Sequence, residues 1–223
     1  MEEEVYDLSP TKEDYIKVLF ELGGRFNRVS NKEVSNRLDI SPPTVTEMMN
    51  SLVKVEWVEY TPYKGSILTD KGTAYAKEII RKHRLWEVFL VEKLGFDIED
   101  VHAEAELLEH TTSDGVADKL ESYLNYPEYC PHGGAIKINL MDMQENHTVT
   151  ISEAEVGSEV VISRIVDEEK LLKYFKNQHL NIGDRITVTD IDIAIDLITL
   201  TAEEDKEIQI SISLGNYLFV EPI

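Results

Sequence analysis

Residues 30–53 read SNKEVSNRLDISPPTVTEMMNSLV, and this stretch predicts two short helices joined by a tight turn. Ser30 and Glu33 have the spacing of a capping box, which starts the first helix, and Asp39 interrupts the helical pattern. Ser41 caps a second helix, in which Pro42 takes the first position without losing a needed N–H group. The apolar positions of that helix share one face: Val45, Met48, Met49 and Leu52. Two such helices form a helix-turn-helix, whose second helix enters the major groove of DNA.

The segment that follows supports DNA binding. Residues 57–68 contain two short β-type runs around Tyr63-Lys64-Gly65, and a hairpin after a helix-turn-helix is a wing. Small hydroxyl groups at the start of the second helix can contact bases and phosphates, a glutamate can accept from a cytosine amine, and a wing lysine can reach a phosphate. The predicted DNA-contact residues are Ser41, Pro42, Pro43, Thr44, Thr46, Glu47 and Lys64.

A further helix is predicted upstream, over residues 10–22. Ser9 and Pro10 start it, and Gly23-Gly24 ends it. Asp14 lies in its first turn, where the ordinary interpretation is capping, because Thr11-x-x-Asp14 fits a capping box. The other interpretation is that Asp14 is a metal ligand.

Length and charge limit the remaining possibilities. A chain of 223 residues exceeds a typical single domain, so two or three small domains are expected. The formal net charge of -21 argues against nucleic acid, but the acidity is uneven: the charge is −4 over residues 1–80, −6 over 81–140 and −11 over 141–223. DNA binding by the N-terminal segment therefore remains possible, and bound divalent cations would favour it.

The sequence favours a cytoplasmic protein. The acidic start does not resemble a signal peptide, and no apolar run approaches the ~20 residues of a membrane span. A single cysteine, Cys130, excludes an internal disulfide framework and suits a reducing compartment.

Residues 83–110 carry the residues that can bind a metal. Helices are predicted from Thr69 to about Glu92, from Phe96 to His110 and from Ser113 to Leu124, and their broad apolar surface suggests a dimer core. Residues four apart share a helix face, so His83 can lie beside Glu87, and the second helix presents a similar series: His102, Glu106, Glu109 and His110. Imidazoles and carboxylates on helix faces are what a divalent metal site needs.

The composition of the sequence changes after Asn125. Tyr126 to Gly134 is rich in turn-forming residues, and short β-rich runs follow at 148–151, 160–166, 185–188 and 208–212, interrupted by a helix at about 168–178. These runs predict a small SH3-like β-barrel. The predicted fold class is thus α+β and multidomain: a winged helix-turn-helix at 1–72, an all-α dimerisation and metal-binding core at 73–140, and an SH3-like domain at 148–223.

This order of modules, with its His and Glu series, resembles the diphtheria toxin repressor / manganese transport regulator family over essentially the whole chain. The most specific stretches are Arg81 to Leu85, Glu109-His110, Ser41 to Met48 and Cys130-Pro-His-Gly-Gly134, the last resembling the three-domain, manganese-responsive branch with its FeoA-like final domain. The resemblance implies a cytoplasmic homodimer, not an enzyme, that represses metal-uptake genes by binding double-stranded operator DNA when Mn²⁺ is bound; Fe²⁺, Zn²⁺ or Cd²⁺ can substitute.

The resemblance also implies two metal sites. The primary site matches Asp14, Glu106, Glu109 and His110, whose hard donors suit Mn²⁺. A carboxylate one turn after Asp14 would permit paired metals there, but Lys17 occupies that position. The secondary site matches Glu87, Cys130, His132 and Asp167, and its soft sulfur leaves room for zinc. His83 and His102 match ligands of an additional site.

Other interpretations remain open at this stage. His83 can be a capping or core histidine, Cys130 a buried thiol without metal, and Asp167 a helix N-cap. For the whole chain, the alternatives are a helical di-metal carboxylate enzyme, since such enzymes also use Glu and His on paired helices, and a metal-sensing protein without DNA binding, which the acidity favours.

Overall fold

The computed structural model describes residues 9–138, 149–166, 169–202 and 206–223, which divide into two units. The first unit contains the described residues up to His83 together with Glu109–Thr112. The second contains Arg84–Leu108 and the described residues from Ser113 onward.

The first unit begins with three helices and a hairpin. They are α1 (Pro10–Glu21), α2 (Asn31–Leu38), α3 (Pro42–Lys54), β1 (Val58–Thr61) and β2 (Gly65–Leu68), and they are followed by the first part of the long helix α4 (Asp70–Leu94). The two strands are antiparallel, with Val58 opposite Leu68 and Thr61 opposite Gly65. The predicted helix-turn-helix and wing are therefore confirmed.

Local capping explains where these helices begin. The Ser30 hydroxyl accepts from the Glu33 N–H at 3.2 Å, and the Glu33 carboxylate accepts from the Ser30 N–H at 2.8 Å, so the predicted capping box is formed. Asp39 ends α2 in the left-handed conformation, at φ 53°. Ser9, however, is the N-cap of α1, and Thr11 lies inside the helix, so the Thr11-x-x-Asp14 capping box is wrong.

The apolar faces of these elements form the core of the first unit. Ile16 and Leu19 of α1 and three apolar residues of α3 are fully buried: Val45, Met49 and Leu52. The backbone of α4 lies directly against the start of the wing, because a Cβ at Gly72 would come within 2.1 Å of the Trp57 carbonyl oxygen. Helix α4 thus holds the base of the hairpin.

The second unit contains the rest of α4, most of α5 (Val101–Glu109), and α6 (Asp114–Tyr123). The helix predicted from Phe96 begins later, at Val101. Gly95, at φ 73°, donates from its N–H to the Val91 carbonyl, and the Phe96 N–H donates to that of Leu90. These two hydrogen bonds form the C-terminal end of α4, so the residues that make them are not the start of the next helix.

The C-terminal part of this unit is a six-stranded antiparallel sheet with short helices. The elements are β3 (Val149–Thr150), a 3-10 turn (Ile151–Glu153), β4 (Glu159–Ile165), α7 (Glu169–Asn177), β5 (Arg185–Asp192), β6 (Leu197–Ala202), β7 (Lys206–Ile210), α8 (Ile212–Gly215) and β8 (Leu218–Pro222). The strand order is β3-β8-β4-β5-β6-β7, and bulges in β4 and β5 curve the sheet. Strands β6 and β8 were not predicted, and the run predicted to reach Ile212 ends at Ile210.

Each part of the second unit has its own core. The sheet packs around buried residues that include Ile162, Phe175 and Leu200, whereas the helical part buries Leu85, Val88, Ala117 and Ile136 together with Cys130. Among the described residues, no helix is both long enough and apolar enough to cross a membrane.

Candidate metal centres

The first centre lies in the first unit, where α1 meets the C-terminal end of α5. Asp14, Glu109 and His110 each offer one ligand atom, and these atoms lie within 4.8 Å of one another. His110 Nε2 is 3.0 Å from Asp14 Oδ1 and 3.8 Å from Glu109 Oε1. The Glu109 carboxylate is fully buried, whereas a third of the Asp14 side chain is exposed. Two carboxylates and an imidazole are hard and intermediate donors that fit a divalent cation.

His110 is held by carboxylates on both of its nitrogens. Its Nδ1 donates to Glu13 Oε2 at 2.6 Å, and its Nε2 faces Asp14. Hydrogen bonding to Asp14 and then to Glu13, together with the charge of Glu109, raises the pKa of His110 from 6.5 to about 10, although burial opposes the shift. In the metal-free protein His110 is therefore a cation at neutral pH, and it offsets the surrounding carboxylates.

Lys17 supplies a second positive charge. Its buried ammonium donates to Glu109 at 2.9 Å and 3.2 Å, to Oε2 and Oε1 respectively, and lies 3.2 Å from His83 Nδ1. His83 Nδ1 is in turn 2.5 Å from Glu109 Oε2. His83 thus contacts Glu109 in the first unit. An ammonium already occupies the position one turn after Asp14, which disfavours a second cation there.

Glu106, the fourth predicted primary ligand, belongs to the second unit. In the described part of the chain, its Oε2 lies 3.9 Å from His102 Nε2, within the second unit. Its participation in the first centre stays a prediction.

The second centre lies in the second unit. Glu87 of α4 and two residues of the turn-rich loop, Cys130 and His132, are all buried, and their ligand atoms lie within 4.8 Å of one another. Glu87 Oε1 is 3.0 Å from His132 Nδ1 and 4.0 Å from His102 Nδ1. His132 Nε2 is 2.8 Å from the Ile98 carbonyl oxygen, to which only an N–H can donate, so Nδ1 is the nitrogen directed at Glu87. Asp167, the fourth predicted ligand, lies outside the described residues.

The loop that carries Cys130 and His132 is held from two sides. The Arg84 guanidinium donates to the Ala135 carbonyl at 2.6 Å, and a Cβ at Gly134 would lie 2.7 Å from Arg84 Nε. On the other side, a Cβ at Gly133 would lie 2.3 Å from the Ser163 carbonyl oxygen of β4. Gly133, at φ 81° and against backbone, therefore has to be glycine, whereas Gly134 leaves room for the Arg84 side chain.

The predicted DNA-contact residues lie at the start of α3 and at the turn of the wing. Ser41, Pro42, Pro43, Thr44 and Glu47 are exposed at the start of α3, and Lys64 is exposed at the turn of the wing. Thr46 is half-buried: its hydroxyl donates to the Pro42 carbonyl at 3.1 Å and accepts from Asn31 Nδ2 at 2.9 Å. Asn31 also contacts the Tyr60 hydroxyl at 3.3 Å, and so joins α2, α3 and β1.

Sequence reasoning missed Glu13, Tyr75 and Asn31. Glu13 is buried, and its other oxygen, Oε1, accepts a short hydrogen bond from the Tyr75 hydroxyl. The sequence feature that could have indicated Glu13 is its position next to the predicted ligand Asp14. No local pattern marked Tyr75, which is 62 residues away along the chain.

Models of three protein domains match the chain. They are "Iron dependent repressor, N-terminal DNA binding domain" at residues 7–66, "Iron dependent repressor, metal binding and dimerisation domain" at 69–137, and "FeoA domain" at 149–222. Among curated proteins, the chain is 36% identical over 118 residues to the uncharacterized HTH-type transcriptional regulator MJ0568 of Methanocaldococcus jannaschii, covering 52% of this chain and 94% of that one. It is 30% identical over 164 residues to the iron-dependent repressor IdeR of Mycobacterium tuberculosis, covering 70% and 71%.

Solved structures are similar over nearly the whole chain. The manganese regulator SloR has a TM-score of 0.84 at 32% identity, with 97% of this chain and 100% of that chain covered. The structure of ScaR with bound Cd²⁺ has a TM-score of 0.83 at 38% identity, with 95% and 99% covered. These likenesses include the final domain as well as the DNA-binding and metal-binding parts.

Proposed function

The chain belongs to the iron-dependent (diphtheria toxin) repressor family, and on that premise we propose that it is a Mn²⁺-dependent homodimeric repressor that binds the operators of metal-uptake genes when metal is bound. Members of this family are metal-dependent transcriptional regulators rather than enzymes. The family therefore excludes a di-metal carboxylate enzyme. The three matched segments support domains at residues 1–72, 73–140 and 148–223.

One observation carries the proposal. Asp14 lies on the helix that precedes the helix-turn-helix, yet its carboxylate meets Glu109 and His110 from the end of α5. Because α1 packs against α2 and β2, a movement of Asp14 relative to Glu109 and His110 also moves the winged helix. This centre is therefore placed to control DNA binding.

The donor set favours manganese. Asp14, Glu109 and His110 offer oxygen and nitrogen without sulfur, and hard oxygen donors suit Mn²⁺ better than they suit softer metals. Glu87, Cys130 and His132 mix oxygen, sulfur and nitrogen, so we expect the second centre to accept Zn²⁺ or Cd²⁺ as well, with Asp167 as its fourth ligand. His102 and His83 stay candidates for additional ligands.

The residues of the first centre also indicate how the switch works. A bound divalent cation would supply positive charge shared by Asp14, Glu109 and a neutral His110. His110 would release its proton to solvent, and Asp14 would face the cation instead of an imidazolium. The ion would thereby favour the arrangement in which α1 keeps Asp14 beside Glu109 and His110. A change from 1:99 to 99:1 requires about 5.5 kcal/mol of preferential binding, which two centres can share.

The test is metal-dependent operator binding by an Asp14→Ala variant. Gel shifts over a Mn²⁺ titration in chelator-buffered solution should show a metal response in the wild type and none in the variant. The dimer, measured by sedimentation, should persist in both proteins. Asp190→Ala, an exposed residue of β5, is the matched control and should behave as wild type. If Asp14→Ala shows the same Mn²⁺-dependent gel shift as the wild type, the proposal is wrong.

The same experiment distinguishes the proposed repressor from the remaining alternative. A metal-sensing protein without DNA binding would take up Mn²⁺ but would show no operator shift in the wild type at any Mn²⁺ concentration.

A further inference from the structure

A continuous series of contacts leads from His110 to the base of the wing, entirely within the first unit. His110 Nδ1 is 2.6 Å from Glu13 Oε2, and Glu13 Oε1 accepts from the Tyr75 hydroxyl. The Tyr75 ring packs on the Trp57 ring, with 4.2 Å between centroids and 53° between planes. None of Glu13, Tyr75 and Trp57 is a predicted metal ligand.

We propose that Glu13 and Tyr75 are positioning residues for the first metal centre. Glu13 holds the His110 ring so that Nε2 is the ligand atom, and Tyr75 holds Glu13. This inference rests on the proposed function, since it assumes that His110 binds the activating metal.

The first step of the argument is the orientation of His110. An imidazole can present either nitrogen to a metal. When one nitrogen is hydrogen-bonded to a carboxylate outside the ligand group, the other nitrogen is the one that binds the metal. Glu13 engages Nδ1, which leaves Nε2 directed at Asp14 and Glu109, at 3.0 Å and 3.8 Å. A carboxylate behind a metal-binding histidine also increases its basicity as a ligand.

The second step is that Glu13 itself is constrained. Only 9% of its surface is exposed, and each of its oxygens has its own partner, Oε1 with Tyr75 and Oε2 with His110. Rotation of the carboxylate would break one of these contacts in a site with little water to replace it. Glu13 therefore supports His110 only in the orientation that Tyr75 stabilises.

The third step is that Tyr75 is fixed on its other side. Trp57, on which it packs, is buried, and the Trp57 carbonyl accepts from the Thr69 N–H at 3.1 Å and from its hydroxyl at 3.2 Å. The close approach of Gly72 leaves the Trp57 backbone no room to move toward α4. The Tyr75 ring therefore packs against a Trp57 residue whose backbone is held in place at the base of the wing.

The experiment measures Mn²⁺ affinity of the full chain by calorimetry, starting from metal-free protein. Glu13→Gln should weaken Mn²⁺ binding about 10–100-fold, the usual effect of removing a residue that orients a ligand. Tyr75→Phe, which keeps the ring on Trp57 and removes only the hydroxyl, should weaken it several-fold. The double variant should be no weaker than Glu13→Gln alone, because the hydroxyl acts through Glu13.

Two control variants separate the loss of the Tyr75–Glu13 and Glu13–His110 hydrogen bonds from the general effect of removing a buried hydroxyl or a carboxylate of α1. Tyr15→Phe removes a hydroxyl from another buried tyrosine of the first unit, and Glu21→Gln removes a carboxylate from the same helix, where it pairs with Arg37. Both should bind Mn²⁺ as wild type. If Glu13→Gln does not fold, Tyr75→Phe still decides, because circular dichroism can establish that the ring substitution leaves the fold intact.

Two results would overturn the inference: wild-type Mn²⁺ affinity in Tyr75→Phe, or additive losses in the double variant. Neither result bears on the proposed function, which fails if the wild type shows no Mn²⁺-dependent operator binding or if Asp14→Ala keeps a full metal response. The two failures are therefore distinguishable in one set of proteins.

Discussion

Replacing Lys17 with methionine tests the electrostatics of the first centre most directly. The Lys17 ammonium is 2.9 Å from Glu109 Oε2, and the two side chains are 7% and 0% exposed. At an effective dielectric constant of 20, two unit charges at that separation attract by about 6 kcal/mol before desolvation is counted. Breaking a buried pair costs about 3–5 kcal/mol, because the remaining charge stays buried.

We expect the lower end of that range for Lys17→Met. His83 Nδ1 remains 2.5 Å from Glu109 Oε2 and can still donate to it. A loss of about 3 kcal/mol in the free energy of unfolding corresponds to a fall of roughly 6–12 °C in Tm for a chain of this size. Thermal unfolding of metal-free protein in chelator, followed by circular dichroism, measures this fall.

Mn²⁺ should reverse part of the loss. A bound cation supplies Glu109 with the charge that the lysine no longer provides, so the rise in Tm on adding Mn²⁺ should be larger in Lys17→Met than in wild type. Lys12→Met, a half-buried lysine of the same helix, is the control and should change Tm little. The reasoning is refuted if metal-free Lys17→Met unfolds at the wild-type temperature, or if Mn²⁺ raises Tm equally in both proteins.

Three further predictions concern metal selectivity, the loop of the second centre and pH. Cys130→Ser should lower the affinity of the second centre for Zn²⁺ or Cd²⁺ by more than about 10-fold and its affinity for Mn²⁺ by less, because sulfur favours the softer ions. If competition assays give the variant the same Zn²⁺ and Cd²⁺ affinities as the wild type, the Cys130 thiol does not bind metal. Gly133→Ala should abolish metal uptake at the second centre, because its Cβ would come within 2.3 Å of the Ser163 carbonyl oxygen and its φ of 81° is strained for alanine. Gly115→Ala, whose Cβ would have nothing within 4 Å, should bind metal normally, and elemental analysis of the metal content measures both. Because His110 must lose a proton whose pKa is about 10, Mn²⁺ affinity at the first centre should rise about 10-fold per pH unit from neutral pH toward 10; a flat profile in chelator competition would contradict this. The stabilisation of the metal-free fold by His110 has the opposite dependence, because its folded pKa is raised above 6.5: it is complete below 6.5 and is lost as pH rises through about 10.

The winged helix could be predicted almost residue by residue, because its signals are local. Ser30 with Glu33 and Ser41 with Pro42 each define a helix start within four residues, and the structure contains both. Strand β8 could not be found in this way. It pairs with β3 and β4, which are more than 50 residues away along the chain, and no local pattern records such a pairing.

Sequence alone determined which chemistry the chain carries. The series of His and Glu residues over 83–110, the acidic Asp14 and the single Cys130 specify donor atoms for divalent metal, and the family resemblance follows from the same residues. These features depend only on residue types and on their spacing.

Only the tertiary structure decided how those donors are grouped. His83 and Glu87 are four apart on α4, and spacing alone puts them on one face. Four residues nevertheless turn a helix by about 400° and advance it by about 6 Å, so neighbouring side chains can meet different partners. His83 contacts Glu109 and Lys17 in the first unit, whereas Glu87 contacts His132 in the second. The helical pattern specifies a face, but the elements packed against each turn decide which ligands come together.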